Sequence, residues 1–225
     1  MSTGIITGAS RGLGLELTRA LAAQGWTLAV DARDAAALRQ ATEGLDGVAA
    51  VPGDITDPRH RAELVAAAGP AIDLVVNNAS ELGPSPQPAL ADLPLDALRR
   101  ILEVNLVGPL ALVQEALPKL VRDAAILDVS SDAGAEAYAG WGGYGTSKAA
   151  LDHLTAILAA EHPALRVYAV DPGDMRTQMH QEAFPGEDIS DRPPPAESVP
   201  GLLALIEGSL PSGRYVAREL TRSRA

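Results

Sequence analysis

Thr3-Gly4-Ile5-Ile6-Thr7-Gly8-Ala9-Ser10-Arg11-Gly12-Leu13-Gly14 joins a short apolar run to a glycine-rich turn. Thr3–Ile6 has the length of a fully buried strand. Leu13, Leu17, Ala20 and Leu21 then recur at helical spacing, until Gly25 stops the turn. Glycines between a strand and a helix let backbone approach a pyrophosphate closely. The helix start adds unpaired N–H groups and the positive end of a dipole. Gly8, Ser10, Arg11, Gly12, Leu13 and Gly14 are therefore the expected dinucleotide-binding residues. The same glycines would also serve a turn with a structural job alone. Their place between strand and helix favours the dinucleotide.

The pattern continues outward. Thr27–Asp31, Val48–Pro52, Leu74–Asn77, Ile126–Ser130 and Arg166–Asp171 are further short apolar runs, with helical patterns between them. Asp57-Pro58 reads as an N-cap and first helical residue before a run ending at Gly69. Longer helices are expected from Leu95 to about Leu117, bent or broken at Pro109, and from Lys148 to about Glu161. Alternating strands and helices predict an α/β, doubly wound (Rossmann-type) parallel sheet with helices on both faces, in a single domain over residues 1–225. Ligands of such sheets bind beyond the carboxyl ends of the strands, here at Thr7–Gly14, Asn77–Ser80, Ser130–Ala133 and Pro172–Thr177. Gly173–Pro200 is rich in proline and holds the only Phe, Phe184; a substrate lid is favoured there over a disordered segment. Leu210–Ala217 is expected to form a last edge strand, followed by a basic stretch from Arg218 to Ala225.

Composition narrows the function. Lys plus Arg is 18 against 29 Asp plus Glu, a net charge of −11 over 225 residues. Such a chain lacks the basic face that nucleic acid or an anionic membrane requires. With no Cys, disulfides, zinc-thiolate sites and thiol nucleophiles are excluded. No apolar run reaches the length of a membrane span, and with a strand-like run starting at once no signal peptide is expected, so a cytoplasmic protein is expected. His60, His153, His162 and His180 show no metal spacing, and no metal site is expected.

At the end of the second strand, Asp31 and Arg33 compete for the cofactor ribose. An acid there binds the hydroxyls of NAD, and an Arg pairs with the 2′-phosphate of NADP. Arg11 and Arg33, two guanidiniums in an acidic chain, favour NADP. Tyr144 and Lys148 stand four residues apart, one helical turn on one face. A neighbouring ammonium stabilises phenolate, which would fit Tyr144 for proton transfer near neutral pH, provided it outweighs the opposing effect of burial. Ser131, thirteen residues before Tyr144, ends a predicted strand where its hydroxyl could hold a carbonyl oxygen.

Together these residues resemble the short-chain dehydrogenase/reductase family, of its shorter single-domain type, from roughly Thr3 to Thr177. Thr7–Gly14 matches the family's cofactor loop, Asp54-Ile55 the pair at the adenine, and Asn77-Asn78-Ala79 the segment bordering the cofactor. Asn105, Ser131, Tyr144 and Lys148 match its catalytic tetrad, and Pro172-Gly173 with Thr177 its nicotinamide contacts. Arg33 falls where NADP-preferring members carry Arg, and Ala32 where NAD-preferring members carry Asp. The resemblance implies NADPH-dependent reduction of a ketone or aldehyde, or the reverse. Ser131 would orient the oxygen, and Tyr144 would give it a proton during hydride transfer. Lys148 would hold the nicotinamide ribose and lower the Tyr144 pKa, and Asn105 would position a water leading to solvent. It also implies a dimer or tetramer through the two long helices.

Ser80 departs from the family's Gly at that position, and with Trp141 and Phe184 it is the expected substrate-pocket lining. Glu81, Asp132 and Asp174 either favour a cationic substrate or are ordinary solvated acids. Two rival readings are a pathway-specific imine or ketone reductase and a non-catalytic NADPH-sensing regulator.

Overall fold

The structure is a computed structural model and describes residues 1–222. Seven strands, β1 (Thr3–Ile6), β2 (Thr27–Ala32), β3 (Val48–Pro52), β4 (Ile72–Asn77), β5 (Leu120–Val129), β6 (Arg166–Asp171) and β7 (Gly213–Val216), form one parallel sheet in the order β3-β2-β1-β4-β5-β6-β7. Adjacent residues on each strand face opposite ways. Ile6, Leu74, Val76 and Leu127 enter one core with Leu13, Leu17, Leu21, Leu202 and Leu205. Ile5, Val75 and Ile126 enter the other with Leu64, Val104, Leu112 and Leu158. Because both faces are covered, the strands read as continuous apolar runs rather than alternating ones.

The helices are α1 (Gly12–Ala23), α2 (Ala35–Thr42), α3 (Pro58–Ala67), α4 (Leu95–Leu102), α5 (Gly108–Ala116), α6 (Gly142–Glu161), α7 (Gln178–Ala183), α8 (Val199–Glu207) and α9 (Ala217–Arg222). Asp57 caps α3 by accepting the Arg59 N–H, with Pro58 at the first turn. The helix expected from Leu95 to Leu117 is divided by a wide π turn over Glu103–Val107. Pro109 has no N–H to give the carbonyl of Asn105, four residues back, so α-helical bonding cannot run through. By length and composition alone Leu95–Lys119 is apolar enough to cross a membrane. Its Ile101, Leu112, Val113 and Ala116 are buried in the fold. The helix expected from Lys148 starts earlier, at Gly142, because three glycines hide its first turn from periodicity. Gly173–Pro200 contains α7 and the beginning of α8, so it is more structured than a long loop. The basic stretch from Arg218 begins within α9; residues 223–225 lie outside the described residues.

The strand order reverses beside β1, where β1 neighbours both β2 and β4. Loops leaving neighbouring strands there go to opposite faces and open a crevice at their carboxyl ends.

Candidate active site

A cleft of about 870 Å³ runs along those strand ends, from Arg33 and Asp54 at one end to Ser131 and Tyr144 at the other. Gly8 (φ 70°) and Gly12 (φ 60°) hold left-handed conformations that make the glycine turn tight. The turn is pinned on both sides. Asn78 Nδ2 donates to the Thr7 and Gly8 carbonyls at 2.8 and 3.1 Å. The Gly8 N–H donates to Asp31 Oδ1 at 2.8 Å, and the Ala9 N–H to the Asp31 carbonyl. While α2 and α3 begin with an Asp accepting first-turn N–H groups, α1 has neither a side-chain cap nor an acid in its first turn. Its N–H groups and dipole thus remain available to an anion, and the cradle fits a pyrophosphate.

Asp31 is 2% exposed and turned inward: Oδ1 serves Gly8, and Oδ2 lies 2.9 Å from Nε2 of buried His60. Arg33 lies just past β2, exposed at the cleft, with its guanidinium 3.3 Å from Glu81. The two residues that the sequence left in competition are therefore separated by burial. The His60 latch had no signal in the sequence, since it depends on a partner 29 residues away. Asp54 and Ile55 line the cleft, as does Arg100, which sequence reasoning passed over. Burial opposes ionisation of Asp54, but the Thr56 N–H and hydroxyl and the Arg100 guanidinium outweigh it and hold the carboxyl at about 2.

Both Tyr144 and Lys148 lie on α6, as their spacing required, and both are buried. Lys148 Nζ is 5.4 Å from the centre of the Tyr144 ring and donates to the Val129 carbonyl at 2.7 Å. Ser80 and Ser131 line the cleft with Tyr144; the Ser80 hydroxyl donates to Asn105 Oδ1 and the Ser131 hydroxyl to Asp132 Oδ1. The electrostatics correct the sequence expectation. Burial pushes the Tyr144 phenol well above its usual range, with Asp171 and Asp132 adding to the effect against Ser80 and Ser131. Burial also lowers the Lys148 ammonium to about 8, despite Asp128 and Asp152 nearby. Depth, which periodicity does not encode, decides both directions.

Asn105 sits in the π turn at 0% exposure. Its Oδ1 accepts from the Glu81 N–H at 2.7 Å and the Ser80 hydroxyl at 3.2 Å. Its Nδ2 donates to the Glu81 carbonyl and Ser147 Oγ, both at 2.9 Å. The side chain ties the π turn to the loop after β4 and to α6.

Trp141 lines the cleft edge-on to Tyr144, with ring centres 5.9 Å apart. Phe184 stands behind it, 5.8 Å from Trp141 and 4.9 Å from His180, and is not among the residues lining the cleft. Met175 and Met179, which the sequence offers equally as pocket or core residues, line the cleft with Ser80 and His180. Pro172, Gly173 and Thr177 follow β6 into the cleft. Thr177 caps α7 by accepting the His180 N–H, and its methyl lies 3.7 Å from where a Gly12 Cβ would stand. Arg11 hydrogen-bonds Gln178, so the start of α7 meets the glycine turn. Each of the three acids weighed for a cationic substrate already has a partner: Glu81 pairs with Arg33, Asp132 accepts from Ser131 and Tyr138, and Asp174 lies 3.8 Å from Arg192.

Comparison with known proteins points the same way. A family profile described as short chain dehydrogenase matches residues 3–188. An L-fucose dehydrogenase of Mus musculus is 32% identical over 184 residues, 79% of this chain and 67% of that protein. A benzil reductase of Saccharomyces cerevisiae, described as forming (S)-benzoin, is 34% identical over 192 residues, 79% of this chain and 73% of its own. A short chain dehydrogenase of Shigella flexneri solved in complex with NADP superposes with a TM-score of 0.88 at 27% identity, covering 96% of this chain and 97% of that one. Family profile, parallel sheet and strand-end cleft agree: this chain belongs to the short-chain dehydrogenase/reductase family and is an NAD(P)-dependent oxidoreductase.

Proposed function

We propose that this protein reduces a ketone or aldehyde to an alcohol with NADPH, or runs the reverse reaction. One observation carries the reading: a single cleft presents an exposed Arg33 at one end and a buried phenol, flanked by two hydroxyls, at the other. NADPH bound along the glycine turn supplies the hydride. Ser131 orients the carbonyl oxygen, and Tyr144 gives that oxygen its proton. Lys148, one turn away, holds the nicotinamide ribose. Trp141 and Met179 beside Tyr144 favour an apolar substituent, and benzil, the diketone in the name of the yeast relative, is the first probe. Segment 173–200 acts as the lid, two or four copies associate through the long helices α4–α5 and α6, and the cytoplasm is the expected compartment. Loss of NADPH absorbance with benzil and a panel of simple ketones tests the reading; no loss with any of them defeats it.

Arg33 sets the cofactor preference, because Asp31 is committed to Gly8 and His60. Arg33→Ala weakens NADPH binding by about ten-fold or more, the loss expected of one charge-assisted hydrogen bond, and changes NADH binding little. Fluorescence titration of both nucleotides reads this directly, and equal losses for the two would contradict it.

The pH dependence follows from burial. Reduction needs the phenol protonated, which its raised pKa ensures, and Lys148 charged, which holds below about 8. Reduction therefore falls as pH rises past about 8. Alcohol oxidation needs phenolate and climbs with pH from neutrality. Rate profiles in both directions check these opposite slopes; an oxidation rate already level at neutral pH would contradict the Tyr144 assignment.

A further inference from the structure

We infer that Ser198 and Arg218 are positioning residues for the cofactor: from the start of α8 and from α9 they hold the Pro172–Asp174 turn in the shape that receives the nicotinamide. The inference rests on the reading that NADPH lies along the cleft with its nicotinamide at the Tyr144 end.

Pro172, Gly173 and Asp174 leave the end of β6 and line the cleft. Gly173 has φ of 75°, and a glycine rotates more freely than any other residue. Such a turn keeps one shape only if its peptide groups are tied. The peptide between Pro172 and Gly173 is tied at both ends. Its carbonyl accepts the Ser198 hydroxyl at 2.8 Å, and its N–H donates to Asp171 Oδ1 at 2.8 Å. Ser198 is buried, at 3% exposure. Beyond Gly173, the Asp174 carbonyl accepts Arg218 Nη2 at 3.1 Å. A Cβ added to Gly173 would stand 2.6 Å from the guanidinium carbon of Arg218, so that group lies against the turn. Neither Ser198 nor Arg218 is among the residues lining the cleft, and both act from behind it.

The supports are themselves fixed. Ala217, beside Arg218, is 0% exposed, and Gly201 of α8 lies so close that a Cβ there would stand 2.7 Å from the Ala217 Cα. Asp171 Oδ2 lies 3.7 Å from Arg214 of β7, and the Arg214 guanidinium donates to the Ser131 carbonyl at 3.0 Å. The segment from β7 to α9 thus braces the turn after β6 and the serine turn after β5 together. A turn ordered before the cofactor arrives spares binding the entropy of ordering it.

The test needs no turnover. Calorimetry compares NADPH with adenosine 2′,5′-bisphosphate, which carries the adenine end of the cofactor and no nicotinamide. Ser198→Ala weakens NADPH binding by about three- to ten-fold, the size of one hydrogen bond, and adding Arg218→Gln weakens it further. The bisphosphate binds both variants as it binds wild type, which also shows that they are folded. Unchanged NADPH affinity in the double variant, or equal weakening of the two ligands, overturns the inference. Failure of the carbonyl panel would instead defeat the proposed reaction, while this comparison still reports on the turn.

Discussion

Tyr144→Phe lowers carbonyl reduction by about 10²–10⁴-fold and leaves NADPH affinity within a few-fold of wild type. The substitution removes one oxygen and little else. The ring keeps its edge-on packing against Trp141, 5.9 Å away, and its place 5.4 Å from the Lys148 ammonium. The glycine turn, Arg33 and Thr177 lie along the rest of the cleft and are untouched. What goes is the hydroxyl that the proposed reaction uses as proton donor for the nascent alkoxide. Steady-state rates with benzil, set beside fluorescence titration of NADPH, separate the two effects. A variant with normal turnover would show that the proton comes from elsewhere.

Gly14→Ala has the next largest expected effect, for a steric reason. An added Cβ would stand 2.5 Å from both Asn78 Nδ2 and the Gly8 carbonyl oxygen. Neither can give easily. The Gly8 carbonyl belongs to a tight turn with φ of 70°, and Asn78 Nδ2 is the clasp joining that turn to the end of β4. Relief therefore requires α1 to shift away from the turn, which spoils the cradle of first-turn N–H groups. Overpacking of this kind costs about 1–3 kcal/mol, and the same distortion weakens NADPH binding by about ten- to a hundred-fold. Urea unfolding and nucleotide titration measure the two losses, and wild-type values in both would refute the clasp.

The parallel sheet was legible because its signals are local. Short apolar runs separated by helical spacing need only a window of residues, and covered sheet faces leave those runs unbroken. The gathering of Gly8, Gly12, Asn78 and Ser131 around one cleft follows from the same rule, since each lies just past a strand end, while Tyr144 and Lys148 reach it from α6. What escaped the sequence is non-local. Asp31 turns inward to His60 on α3, and Arg33 is left as the exposed one of the two at the cleft. The early start of α6 is hidden by Gly142, Gly143 and Gly145, which carry no apolar stripe. Pro109 announced a break, but not that the widened turn would fall on Glu103–Val107 and bury Asn105. Phe184, singled out as a rare aromatic, supports Trp141 rather than lining the cleft, a distinction only packing makes. The raised phenol and lowered ammonium come from depth, against an expectation built on spacing alone.

The central claim is that a buried tyrosine protonates a carbonyl oxygen as hydride reaches the neighbouring carbon. Its most direct test uses NADPH carrying deuterium at both C4 positions of the nicotinamide, with benzil as acceptor and mass spectrometry of the product. The account predicts one deuterium on the carbinol carbon with the wild-type protein and only traces of labelled alcohol with Tyr144→Phe. Unlabelled product, or equal labelled product from both proteins, would contradict it.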